Sequence, residues 1–149
     1  AEVLVDAGFD DIRLAYPIVS QDKLARLQRL ASRARISFCV DTIEAARLAS
    51  ESYDKAGLIC EVMVEVDVGY GRCGVHWNDN DSVQFVREVA ALPALRIAGI
   101  LTHAGHSYNG PGASESKEEA LRRVMAEERD NMLAFAAALG FQCGADHAK

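Results

Sequence analysis

Apolar residues along this chain recur with two periods that alternate from segment to segment. In DIRLAYP, Ile12, Leu14 and Tyr16 alternate with Arg13 and Ala15, which predicts a first strand ending at Pro17. Leu24, Leu27, Leu30 and Ala31 then return at three- and four-residue steps, so a helix capped by Ser20 is expected to bury that face. A second strand is predicted at 36–40, followed by a helix over DTIEAARLASESYDKA with Asp41 and Glu44 as its capping box and Gly57 as its stop. EVMVEVDV is the third strand. Past a glycine-rich turn, Asn80 or Asp81 opens a helix through Val83, Val86 and Val89 that ends before Pro93. Residues 95–102 form the fourth strand, and the loop HAGHSYNGPGA leads into a long helix from about 114 to 139. The opening AEVLVDAG reads as the last turns of a helix closed at Gly8, and the tail FQCGADHAK shows no clear element.

Strict alternation of strand and helix indicates βαβ units with right-handed crossovers and a parallel sheet. No GxGxxG turn links a strand to a helix, so the α/β class expected is a partial (β/α)8 barrel of about four consecutive units and not a doubly wound sheet. Half a barrel has two open strand edges. The expectation is therefore that residues 1–149 are one piece of a longer chain, beginning inside a helix and stopping where a further strand is due.

Composition narrows the function. Half of the 149 residues are hydrophobic and 26% are charged, which fits a packed globular domain. A net charge of −6 without a basic stripe argues against nucleic acid as a partner. The longest apolar runs are strand-sized, far short of the ~20 residues of a membrane span, so no membrane partner is expected. Cys39, Cys60, Cys73 and Cys143 have neither CxxC nor zinc spacing, and no secretory signal opens the chain, so a reducing cytoplasm is expected. Walker and GxSxG motifs are missing, and His103 and His106 lack the partners of a metal site within this segment.

Candidate chemistry gathers where the third and fourth strands end. Met63, Glu65 and Asp67 share the face opposite Val62, Val64 and Val66, and parallel strands rarely carry two carboxylates. Arg72, in the loop beyond, is the cation expected to meet them, and Gly69, Gly71 and Gly74 let the backbone approach a ligand. The C-terminal end of barrel strands is where active sites lie; a structural salt bridge across the barrel mouth is the competing reading. On the fourth strand Ile97, Gly99, Leu101 and His103 are expected on one face, with His106 and Tyr108 in the loop. A lone strand-end histidine is more often a satisfied structural residue than a catalyst, and His103 gains weight from Arg72 at the same end of the neighbouring strand. His76 and Trp77 read as lid or interface residues.

VEVDVGYGRCGV followed by LRIAGILTHAGHSY, with DIRLAYPIV upstream, resembles the alanine racemase N-terminal barrel, and within it the D-threonine aldolase and D-serine dehydratase-like branch. The resemblance runs from the third strand of the family barrel to the helix after the sixth. It implies pyridoxal phosphate at the barrel mouth, with Arg72 on the cofactor's phenolic oxygen, His103 beside the pyridine ring, Tyr108 toward the ring nitrogen and His106 on the same wall. Where racemases carry a lysine, often carbamylated, this chain has Glu65, which with Asp67 belongs to the implied cofactor site and is expected to orient Arg72 by a charge-assisted hydrogen bond.

The resemblance implies that the family's Schiff-base lysine lies ahead of Ala1, and Lys23, Lys55, Lys117 and Lys149 fall on helices or tails, so the isolated segment is expected to be inactive. The phosphate-binding loops of the last two strands, and a C-terminal β-domain carrying the ligands of a divalent metal in this branch, are expected beyond it. The activity implied for the whole protein is that of a lyase, a monomer or homodimer, acting on a small D-β-hydroxy amino acid as an aldolase or dehydratase. A racemase of the same fold, a non-catalytic pyridoxal-phosphate carrier and a barrel fragment without ligand function stay open at this point.

Overall fold

Valines and other β-branched or aromatic residues at period two draw 35–40, 60–67 and 95–102 into strands, and the computed structural model, which describes residues 1–140, arranges these side by side. In chain order the elements are α1 (Glu2–Asp6), β1 (Asp11–Pro17), α2 (Gln21–Gln28), β2 (Arg35–Val40), α3 (Ile43–Lys55), β3 (Cys60–Asp67), β4 (Val75–His76), α4 (Asn80–Ala91), β5 (Leu95–Thr102), a 3-10 turn (Gly105–Asn109) and α5 (Lys117–Ala138). Every strand pairing is parallel, with β3 at the centre between β2 and β5, and β1 beyond β2. The two-residue β4, which the sequence pattern does not reveal, pairs with the tip of β3 through Val66 and Asp67. Cys143 and Lys149 lie outside the described residues.

One face of the sheet is covered by helices. Phe38, Val40 and Val62 pack against Leu24 and Leu27 of α2, Ala46, Ala49 and Tyr53 of α3, and Val89 of α4. A second cluster joins Val64, Val66 and Val68 to Val86 of α4 and Phe135 of α5. Each such buried aliphatic or aromatic side chain stabilises the fold by about 1.5–3 kcal/mol, which is why the helices adhere along this face. Trp77, expected as a lid or interface residue, packs against the second cluster, where its indole has apolar neighbours, and stacks with the His76 ring at 6.1 Å.

The opposite face of β3 carries Glu61, Met63 and Glu65, and its pairing with β5 corrects the expected phase of that strand. Val62 pairs with Ile97 but Met63 pairs with Gly99, so a bulge at Ala98 puts Ile97 on the helix side and only Gly99, Leu101 and His103 on the other. Gly99 leaves room there for Met63, since a Cβ on Gly99 would lie 3.0 Å from Met63 Cε. Glu61, not singled out from sequence, is buried between Arg35 of β2, at 2.7 Å, and Arg96 of β5. At the N-terminal end of the strands such a charge cluster reads as stability.

Helix starts differ in detail from expectation. Thr42, not Asp41, caps α3 by accepting from the Ala45 N–H at 3.3 Å, and the Asp41 carboxylate is drawn off to the Gly74 N–H. Ser20 occupies the N-cap of α2 without a side-chain cap bond. The capping box of the chain is Ser116 with Glu119, at the start of α5. No helix among the described residues is long and apolar enough to cross a membrane.

Candidate functional site

The loop between β3 and β4 is shaped by Asp67. Its carboxylate accepts the N–H groups of Gly69 and Tyr70, each at 2.9 Å, and of Gly71, which reaches both oxygens. Asp67 was expected to meet Arg72 or a ligand; these three amides claim it first, because a strand-end aspartate is within reach of a tightly returning backbone. Burial on its own would raise the Asp67 carboxyl, but the amides outweigh it and hold the group below the usual aspartate range.

The sign of the pH effect follows. A carboxyl depressed in the folded state contributes stability above its unfolded value and loses it as pH falls through the folded one. The stability gap between wild type and Asp67→Asn is therefore expected to be widest near neutrality and to close as pH drops below about 3.9. Denaturant midpoints across that range check it, and a gap independent of pH would contradict it.

So anchored, the loop presents two side chains. The Arg72 guanidinium carbon sits 5.5 Å from the centre of the Tyr70 ring, a cation–π arrangement. Tyr70 lies flat against Gly105, where a Cβ would come within 2.4 Å of the ring. From the end of β5, His103 meets Tyr70 edge-on at 5.8 Å, and Tyr108 in the 3-10 turn does so at 5.9 Å. The Tyr108 hydroxyl and His103 Nε2 are 3.3 Å apart.

Arg72 and His103 thus stand at the same end of neighbouring strands, but the Tyr70 ring lies between them. The hollow at Arg72 does not extend to His103, although one cavity was expected to hold both. Arg72 lines a hollow of about 570 Å³ with Ala15, Tyr16, Pro17, Val19, Glu65 and Cys73, and His103 is not among its walls. Tyr70 was missed from sequence; its place between two glycines in the GYGR run was the available signal.

Inside the hollow, Glu65 is only 4% exposed. The direct bond expected from Glu65 to Arg72 is replaced by a relay, because Cys73 lies nearer to both. The Cys73 thiol donates to Glu65 Oε1 at 2.9 Å, and Arg72 Nε donates to Cys73 Sγ at 3.4 Å. Burial first, then the Glu65 carboxylate, push the thiol up, with Arg72 opposing. Glu65 Oε2 is buried and has no hydrogen-bond partner among the described residues.

His106 does not share the wall of His103. Its ring, 10% exposed, packs beneath Gly69 with Nε2 3.4 Å from Glu127 of α5. Asn131, one helical turn further, donates to the Val68 carbonyl at 3.2 Å, so α5 supports the loop from behind.

Comparison with known proteins adds four findings. Residues 1–145 match the family model "Alanine racemase, N-terminal domain". A D-threonine aldolase of Arthrobacter sp. is 39% identical over 101 residues, covering 68% of this chain and 26% of that protein. The crystal structure of D-threonine aldolase from Filomicrobium marinum superposes with a TM-score of 0.78 at 33% identity, over 95% of this chain and 38% of that one. D-threo-3-hydroxyaspartate dehydratase from Delftia sp. HT23 gives 0.81 at 28% identity, over 95% and 37%. The chain spans between a quarter and two fifths of the length of these relatives, and its parallel sheet corresponds to an arc of their barrel.

Proposed function

Because this chain belongs to the alanine racemase N-terminal domain family, we propose that it forms the cofactor-holding arc of a pyridoxal-phosphate-dependent lyase acting on D-β-hydroxy amino acids, by aldol cleavage or by dehydration. The observation that carries the reading is the hollow beside Arg72, lined by a buried Glu65 with one carboxylate oxygen lacking a donor among the described residues and by a guanidinium that faces open space. At about 570 Å³ the hollow is within the ordinary size of cofactor pockets. Names of the relatives, aldolase and dehydratase, support the lyase class.

The donors present fit the cofactor's ring side. Arg72 would hold its phenolic oxygen, and the Glu65–Cys73 pair fixes where Arg72 can lie. His103, oriented by the Tyr108 hydroxyl, stands across the Tyr70 ring from this hollow and would meet the cofactor only where it extends past Tyr70. When bound, pyridoxal phosphate supplies the electron sink that weakens a bond at the amino acid's α-carbon. What the chain contributes is a positive charge at the ring oxygen, a negative one behind it, and aromatic walls that exclude water. Cys39, Cys60 and Cys73 are free thiols, which supports a cytoplasmic setting.

The test is made on the whole protein that carries this chain. Incubation with pyridoxal phosphate is expected to produce the visible band of the lysine-bound cofactor, and D-threonine to release an aldehyde, or D-serine to release pyruvate and ammonia. Neither band nor product would overturn the reading. Glu65→Gln removes the charge behind Arg72 and is expected to weaken cofactor affinity by roughly tenfold, the worth of a hydrogen bond to a charged group. An unchanged affinity would remove Glu65 from the site.

A further inference from the structure

Glu65 and Arg72 are oppositely charged and line one hollow, yet each reaches for the same sulfur. The thiol has one proton to give and a lone pair to accept with, so a single Sγ satisfies both neighbours in opposite senses. Without it Glu65 would keep a buried carboxylate with neither oxygen bonded, since Oε2 already lacks a donor among the described residues. Arg72 would retain only the Tyr70 ring face.

We propose that Cys73 is a positioning residue: its thiol couples the buried Glu65 carboxylate to Arg72 and so fixes the guanidinium at the rim of the hollow, where the ligand's oxyanion is to be met. The inference rests on the functional reading above for the identity of that ligand, and on the hydrogen bonds alone for the coupling.

A second observation points to a ligand and not to packing alone. A lone buried cysteine commonly fills space as a small hydrophobe, as Cys39 and Cys60 do, their thiols pushed up by burial to about 11 and about 12. Cys73 is only partly buried, lines a cavity with Glu65 and Arg72, and bonds a carboxylate whose other oxygen is buried without a partner among the described residues. Such an oxygen is costly unless a donor arrives. Holding Arg72 at Sγ keeps the guanidinium at the hollow, its charge available to what enters.

Two measurements on the whole protein separate the coupling from the function. Iodoacetamide alkylates a thiolate, the S–C bond forming as iodide leaves and the thiol proton passing to buffer, and peptide mass spectrometry reads the rate at Cys73. Glu65→Gln replaces the charged acceptor that retains the thiol proton with a neutral one and is expected to raise that rate severalfold at fixed pH; Arg72→Gln is expected to lower it severalfold. Equal rates in both variants and wild type would overturn the coupling. In the second measurement, pyridoxal phosphate titrated into Cys73→Ala is expected to bind about tenfold more weakly than into wild type, with Cys73→Ser, whose hydroxyl donates and accepts, restoring most of the loss. Full affinity in Cys73→Ala overturns the positioning role while leaving the functional reading intact. A wild type that binds no pyridoxal phosphate overturns that reading and the ligand assigned here, and the alkylation rates still decide the coupling. They do so on the native sulfur, so an alanine variant that fails to fold costs nothing.

Discussion

Gly74→Ala is expected to destabilise the fold by about 3 kcal/mol, combining overpacking with left-handed strain. The residue has φ +98°, and a Cβ there would lie 2.8 Å from Asp67 N and Val66 C and 3.0 Å from Glu65 O. These are backbone atoms of β3, the central strand, held between β2 and β5, so the obstacle cannot retreat as a side chain would. Gly71 supplies the control: its φ is +72° but nothing lies within 4 Å of a Cβ placed on it. Gly71→Ala is accordingly expected to cost only the conformational strain, roughly 1 kcal/mol. Denaturant midpoints of the two variants measure the difference. Equal losses would show that the approach of the loop to β3 carries no energetic weight. A functional effect should follow in Gly74→Ala, because the loop pushed off β3 is the one that carries Arg72 and Cys73.

Which parts of this arrangement could be read from residues alone depends on whether the signal is local. Alternation set Val62, Val64 and Val66 toward the helices and Glu65 toward the other face, because a strand's period is a property of the strand itself. The same rule misplaced Ile97, since the bulge at Ala98 sets Met63 opposite Gly99, two residues 36 apart. Asp67 was legible as a strand-end carboxylate, but its partners were not: three amides of its own loop outcompete a distant guanidinium once the loop closes. Tyr70 and Cys73 were passed over for a related reason. Between glycines and beside an arginine each looks like filler, and only folding brings Tyr70 onto Gly105 and Cys73 onto Glu65. Glu61 had the right parity to be named and needed Arg35 and Arg96, on two other strands, to be understood.

Arg72→Ala is expected to lower the affinity of the whole protein for pyridoxal phosphate by about tenfold to a hundredfold while leaving stability within about 0.5 kcal/mol of wild type. The two halves of that expectation have separate causes. Arg72 is exposed, and its contacts in the fold are one weak bond to Cys73 Sγ and the face of Tyr70, neither of which holds an element in place. Its loss should therefore pass almost unnoticed in a denaturation curve. Toward an oxyanion, by contrast, the guanidinium is the one cation lining the hollow among the described residues, and hydrogen bonds between charged partners are about twice as strong as neutral ones. Arg72→Lys should fall between, since an ammonium keeps the charge but neither stacks as a plane on Tyr70 nor presents Nε to Cys73. Titration of the cofactor and denaturation of the same three proteins decide it. If Arg72→Ala binds as wild type does, the oxyanion is met elsewhere; if it unfolds instead, the guanidinium is a structural residue and the salt-bridge reading of this loop prevails.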